Sequence, residues 1–320
     1  MQEPILDHAS DIAAQPSAIK TPNPSASDAE EGDALDLESL DLLDKEIPHD
    51  KLHKLEKIGS GGFKDVYAGR YRNVKVAIGD LRGHLTENDI KELGLLRDLR
   101  HPNVVRFIGI SIPPTRDIPC MIVTELCQNG DLFDYIRNVP APPLTKMIGI
   151  MLDIAKGIQY LHNRTPSIIH RDIKSSNVLI THRGVAKLTD FGLARVKNTT
   201  RSMIKSLVGT VNWQAPELWV AHPRYNQTVD VYSAALVYWE ILTWHLPSKK
   251  YPFEGMNEHA IYQAAGSQNL RPSTATMRRQ WGGDIVDLVD TMWDANPAKR
   301  PTITGVIHSL QALLALERAR

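Results

Sequence analysis

The sequence predicts an α+β chain of two lobes, a small β-rich one followed by a larger helical one, behind an acidic N-terminal extension. Three observations point there. Over residues 55–80, Val66-Tyr67-Ala68 and Val74-Lys75-Val76-Ala77-Ile78 are β-rich runs bounded by turn residues. Beyond about residue 128, apolar residues recur at helical spacing over 147–161, 229–243, 284–293 and 303–316. Before residue 47 neither period is found. The 320 residues suffice for two domains and a substantial core.

Taken in order, the first 46 residues carry twelve acidic side chains against Lys20 and Lys45, a net charge of −10. The whole chain is neutral, so the remainder is net +10. Ala, Ser, Pro and acids dominate residues 1–47, a composition that cannot bury enough apolar surface to offset ordering entropy, and disorder is expected there. Two readings stay open: a solvated tail, or an acidic segment lying against the basic body. Ala34 to Leu43 could form a short amphipathic turn that docks, or could simply be leucines in a mobile tail.

From Leu52 the pattern changes to strand, glycine turn, strand, turn, strand. Residues 86–99 predict a helix, with Thr86 as its cap and Ile90, Leu93 and Leu96 at helical spacing. Met121-Ile122-Val123-Thr124 is a further strand, and Cys127-Gln128-Asn129-Gly130 links the lobes. The folded region is therefore 52–318, divided into about 52–127 and 128–318, with a cleft expected at the link. Cys120 and Cys127 are too few for a disulfide framework and fit a reducing compartment. The N-terminus has no secretory pattern, and no stretch approaches the ~20 apolar residues of a membrane span. Cytoplasmic localisation is expected, with nuclear as the alternative. The balanced charge gives no reason to expect nucleic acid.

Gly59-Ser60-Gly61-Gly62-Phe63-Lys64-Asp65-Val66 is a glycine hairpin, able to bring backbone N–H donors close to phosphates. Downstream stand His170-Arg171-Asp172-Ile173-Lys174-Ser175-Ser176-Asn177, then Asp190-Phe191-Gly192, then Ala215-Pro216-Glu217. Through these motifs, residues about 52–318 resemble eukaryotic protein kinases, and the wording is most similar to the tyrosine-kinase-like group of Ser/Thr kinases. The resemblance implies the bilobal kinase fold, ATP and Mg2+ as cofactors, and a protein substrate with a Ser or Thr acceptor. It also implies control by an activating kinase or by autophosphorylation of the activation segment, which offers Thr199, Thr200, Ser202 and Ser206.

The same resemblance assigns roles. Asp172 accepts the proton of the acceptor hydroxyl, Lys174 neutralises the transferred phosphoryl, and Asn177 and Asp190 ligate magnesium. Gly59, Ser60, Gly61, Gly62, Phe63 and Lys64 form the phosphate loop. Val66, Ala77 and Leu179 sandwich adenine, Thr124 is the gatekeeper, and Glu125 and Cys127 belong to the hinge. Glu92 is the helix glutamate, and Arg300 is expected to pair with Glu217.

One residue departs from the pattern. Val76-Ala77-Ile78 ends in Gly79, where the family carries the lysine that holds ATP phosphates. Lys64 in turn replaces the third loop glycine. Side chains alternate along a strand, so Lys64 shares the face of Val66, and Gly79 shares the face of Ala77. Lys64 could then extend its ~6 Å stem toward the phosphates and Glu92. This exchange is similar to the solution of the with-no-lysine kinases. Lys75 has the same parity but lies in the wrong direction, and Arg82 remains open as a substitute. Two functions follow: an active kinase using Lys64 as its cation, or a nucleotide-binding pseudokinase serving as a scaffold or allosteric regulator.

Overall fold

Five strands form one antiparallel sheet: β1 Leu52–Ser60, β2 Lys64–Tyr71, β3 Val74–Leu81, β4 Phe107–Ser111 and β5 Met121–Glu125, in the order β1-β2-β3-β5-β4. The computed structural model describes residues 42–60, 64–81, 93–94, 96–113, 115, 118–190 and 211–320, and of Lys64 the backbone alone. Gly61, Gly62, Phe63, Arg82, Glu92, Phe191, the start of the 86–99 helix and the proposed phosphosites lie outside the described residues. Leu93, Gly94, Leu96 and Arg97 are helical, as the spacing predicts.

β2 and β3 are joined by Arg72 and Asn73, at φ 47° and 61°. Two left-handed residues are what a tight hairpin needs to match strand twist, and asparagine tolerates that conformation. Strand alternation then sorts β3. Val76 and Ile78 join Met121, Val123 and Ile47 in a small apolar core on one face. Ala77 and Gly79 belong to the other face by parity.

Leu42 and Ile47, which composition assigns to the extension, are buried at 0% and 3% exposure. The Ile47 N–H donates to Ile110 O at 2.7 Å, and Glu46 bridges the same residue of β4. Gly109 makes this seat possible, because a Cβ there would come within 2.7 Å of Ile47 Cδ1 and collide with the Lys45 carbonyl. Leu42 and Ile47 thus belong to the folded core although composition places them in the extension.

The larger lobe is helical: α1 Leu132–Asn138, α2 Leu144–His162, α3 Thr228–Leu242, α4 Ala275–Trp281, α5 Gly283–Met292 and α6 Ile303–Ala319. Every residue of α3 after Thr228 is buried, including Asp230 and Glu240. A helix apolar on all sides can only be central, and α2 and α5 pack on it. Asp131 caps α1 through the Asp134 N–H, and Thr302 caps α6 through the Gly305 N–H. Between α2 and α3, the two short strands β6 Val178–Ile180 and β7 Ala186–Leu188 pair antiparallel. They carry the segment that leads from the His-Arg-Asp motif to Asp190.

Candidate active site

The His-Arg-Asp loop is fastened to α3 from below. Asp230, fully buried, accepts the His170 N–H at 2.9 Å on Oδ2 and the Arg171 N–H at 2.8 Å on Oδ1. The His162 Nε2 lies 2.8 Å from the same carboxylate. Arg171 sits at φ 64° and Asp190 at φ 57°, left-handed conformations that cost a non-glycine residue about 1–3 kcal/mol. Hydrogen bonds hold the strained backbone in place. His170 Nδ1 accepts the Asp172 N–H at 3.3 Å, which puts the ring hydrogen on Nε2, 3.0 Å from Thr189 O. The Thr189 N–H in turn donates to Asn177 O at 3.0 Å. Loop and Asp190 segment are thereby stitched together at the residue before Asp190.

At the centre, Lys174 Nζ donates to Asp172 Oδ1 at 3.2 Å and Oδ2 at 3.0 Å. Asn177 Nδ2 donates to Asp172 O at 2.8 Å and Oδ2 at 2.9 Å. Oδ2 therefore has two donors and Oδ1 one, so Oδ1 is the less engaged oxygen for an incoming hydroxyl. The structure brings together three of the predicted catalytic residues, with Asp190 adjoining them through Thr189.

The same bonds test the fit of a metal. With Nδ2 of Asn177 committed to Asp172, its Oδ1 is left as a hard oxygen ligand, and Asp190 supplies a carboxylate. Amide and carboxylate oxygens suit Mg2+, which keeps waters and phosphates for its other positions and needs no all-protein cage. Among the described residues no group of three or more His, Cys, Asp or Glu gathers into such a cage.

On the sheet side, register decides the placement of the predicted nucleotide residues. Val66 pairs with Gly79, Ala68 with Ala77, and Lys64 with Leu81. Ala77 also pairs with Thr124 across β3 and β5. Direct partners in an antiparallel pair share a face, so positions 64, 66, 77, 79 and 124 all belong to one face. Position 64 is the diagonal neighbour of position 79, a separation of about 7–8 Å that long side chains span. Gly59, paired with Val66, and Ser60 end β1 at the same corner. Glu125 and Cys127 follow at the link, and Glu125 Oε1 accepts Lys187 Nζ at 2.8 Å and the Arg106 N–H at 2.7 Å. Burial pushes the Cys127 thiol up to about 12. Leu179 lies half-buried on β6, bridged to Asp131 where the link ends.

Other lysines of the sheet are engaged elsewhere. Lys54 donates to Asp80 at 2.8 Å and Lys57 lies 2.8 Å from Asp65. Both partners have the opposite parity to Gly79. Lys75 is exposed beside the β2–β3 turn.

Arg300 forks onto Glu217 as expected, with Nη2 to Oε2 at 3.0 Å. Arg171, on the same loop as Asp172, donates to Tyr225 Oη at 2.7 Å. Sequence reading missed Glu240, whose two oxygens accept Ser175 Oγ at 2.9 Å and Trp213 Nε1 at 2.7 Å. The signal was a second acid, besides Asp230, inside a mostly apolar helix.

A family model described as protein tyrosine and serine/threonine kinase matches residues 52–310. The chain is 34% identical over 263 residues to the serine/threonine-protein kinase STY46 of Arabidopsis thaliana, covering 80% of this chain and 43% of that protein. It is 32% identical over 284 residues to the serine/threonine-protein kinase CTR1 of the same plant, covering 86% and 33%. The dual specificity protein kinase pyk3 of Dictyostelium discoideum is 36% identical over 276 residues, covering 84% and 19%. The match spans less than half the length of each of these relatives.

Proposed function

This chain belongs to the protein tyrosine and serine/threonine kinase family, and from that premise we propose that it transfers phosphoryl groups from Mg-ATP to serine or threonine hydroxyls of proteins, with Lys64 supplying the cation that Gly79 lacks. The observation that carries the reading is the Asp172–Lys174–Asn177 cluster, held on a strained loop by the buried Asp230. A scaffold without chemistry to perform has no need of that strain.

Bound Mg-ATP supplies the transferable phosphoryl group, its charge spread by the metal. The residues of the chain do the rest. Asp172 Oδ1 takes the proton of the acceptor hydroxyl, while Lys174 offsets negative charge where phosphoryl and hydroxyl meet. Asn177 Oδ1 and Asp190 would hold the metal. Val66, Ala77, Leu179 and the gatekeeper Thr124 enclose adenine, with the link at Glu125 and Cys127 beside it. Gly59 and Ser60 lead into the phosphate loop, and in this reading Lys64 would serve the phosphates and Glu92 would be its partner. A reducing compartment, cytoplasmic or nuclear, fits the two unpaired cysteines Cys120 and Cys127.

Gly79 favours a second reading, a nucleotide-binding pseudokinase acting as a scaffold or allosteric regulator. Turnover decides between them. The purified chain, given Mg-ATP and a generic basic protein, should transfer phosphate, and Asp172→Ala should lower the rate by about a hundredfold to ten-thousandfold. Equal signal from both proteins would sink the kinase reading.

A further inference from the structure

We infer that Lys54 and Asp80 are positioning residues: their ion pair buckles β3 to β1 on the sheet face opposite the predicted nucleotide residues, and so holds position 64 in line with the phosphates. The inference rests on the kinase reading with Lys64 as its cation, and adds the residues that fix the strand carrying that cation.

Register places the pair. Asp80 stands opposite Asp65 across β3 and β2, one step along from the Gly79–Val66 pair. Directly opposed residues share a face and successive ones alternate, so both carboxylates lie on the face of Ile78 and Tyr67. Two like charges in direct opposition destabilise a sheet. Both are answered from β1. Lys57 Nζ lies 2.8 Å from Asp65 Oδ1, which also accepts Ser60 Oγ at 2.7 Å. Lys54 Nζ donates to Asp80 Oδ2 at 2.8 Å, while the buried Oδ1 lies 2.6 Å from the same ammonium outside hydrogen-bond geometry.

Lys54 crosses the whole of β2 to reach Asp80. It pairs with Gly69, which sets no side chain beside its stem, and its ammonium lies 5.2 Å from the centre of the Tyr67 ring. A lysine of β1 is thereby tied to β3 over a ring of the strand between them. The Asp80 side chain is 16% exposed and that of Lys54 32%, so water screens this pair less than it screens an open surface pair.

Gly79 explains why β3 needs a buckle. Glycine weakens a strand interior, having no side chain to pack. Protein kinases carry a lysine at this position that ties the strand to the helix glutamate. Glycine makes no such tie, and the very next residue, Asp80, makes one on the other face. Leu81 follows Asp80 and pairs with Lys64, so the strand of the proposed cation is fixed one residue away from it.

Mg-ATP binding by calorimetry and steady-state kinetics, both on the full chain, test this. Lys54→Met and Asp80→Ala should each weaken Mg-ATP binding and raise the ATP KM at least fivefold, with the acceptor KM within twofold of wild type. The common direction separates a buckle from simple charge. Through charge alone, losing a lysine would weaken binding of a polyphosphate and losing an aspartate would tighten it. Lys54→Arg should stay within twofold, since a guanidinium makes the same pair. The double variant should lie within twofold of the weaker single, because both changes break one contact.

Introduced into Lys64→Gly, the same changes should weaken binding by less than twofold, since no cation is left to position. Equal weakening with and without Lys64 would reduce the pair to sheet stability and overturn the inference, as would tighter binding by Asp80→Ala. Should Lys54→Met fail to fold, Asp80→Ala carries the test. If the wild type and variants bind in the expected pattern without transferring phosphate, the kinase reading falls and the buckle stands. A wild type that binds no Mg-ATP overturns the buckle.

Discussion

The two sides of this site are built on opposite plans. On the large-lobe side, Asp172, Lys174 and Asn177 are cross-bonded to one another and their loop is tied to Asp230 in the core. Each group has a specific partner, and none can be moved one position without orphaning a donor or an acceptor. On the small-lobe side, the predicted nucleotide residues share only a sheet face and a register. Neighbouring positions on such a face are nearly equivalent as starting points for a long side chain. The proposed reading uses that equivalence, with the cation moved from position 79 to its diagonal neighbour 64, whereas the base has no equivalent position to move to. The difference teaches where the family pattern can be rewritten: on the sheet, and not on the loop.

Breaking the large-lobe plan should have the larger effect. Asp230→Ala removes the acceptor for two buried backbone N–H groups and for His162, leaving Arg171 strained without compensation. Stability should fall by about 3 kcal/mol, from unsatisfied buried donors. The rate should fall by more than about a hundredfold, because small misplacements of catalytic groups are costly. Denaturant titration and turnover measured together check it. Full activity in Asp230→Ala would show that the loop holds itself.

The small-lobe plan predicts a different signature, loss of rate with little loss of stability. Lys64→Gly restores an ordinary glycine loop, yet should lower turnover by about a hundredfold through loss of phosphate stabilisation. Gly79→Lys alone should help little, since two lysines would compete for one site. The double variant, with the lysine back on β3, should recover part of what Lys64→Gly lost. Such strong non-additivity is expected only where both positions serve one site. Near-full turnover in Lys64→Gly would point to Arg82 or to catalysis without a lysine.

How much was legible in the sequence follows the same division. The long helices announce themselves by period: α3 and α5 were expected at 229–243 and 284–293 and stand at Thr228–Leu242 and Gly283–Met292. The strands β4, β6 and β7 and the short helices α1 and α4 carry too few residues to show a period. The catalytic loop was readable because its motif names each residue, and the parity of Lys64 because a strand has period two. Ile47 was hidden by composition, since one buried residue among many acids does not change the average, whereas Leu42 stands in the run from Ala34 to Leu43 for which docking was one of the two readings. Glu240 was hidden for another reason. A second acid in a mostly apolar helix can be a flaw, a ligand or an internal acceptor, and only its partners Ser175 and Trp213, far apart in sequence, distinguish these.

The smallest effect sharpens the comparison from within the large lobe, and it concerns pH. Asp230 anchors the loop with backbone donors, whereas Glu240 sits where burial lifts its carboxyl from the usual range to about 8. Between about pH 4.5 and 8 the folded chain then holds a proton that the unfolded chain has released. Stability from this group is full below the unfolded value and declines as pH rises through the folded one, because the native state binds the extra proton. Glutamine at 240 does not titrate and forgoes that decline. The Tm of Glu240→Gln relative to wild type should therefore rise from pH 5 to pH 8, by thermal denaturation in matched buffers. Asp230→Asn, titrated in parallel, provides the contrast between the two anchors. A constant difference for Glu240→Gln across that range would mean that the carboxyl is already ionised at pH 5, and that the two donors facing it outweigh its burial.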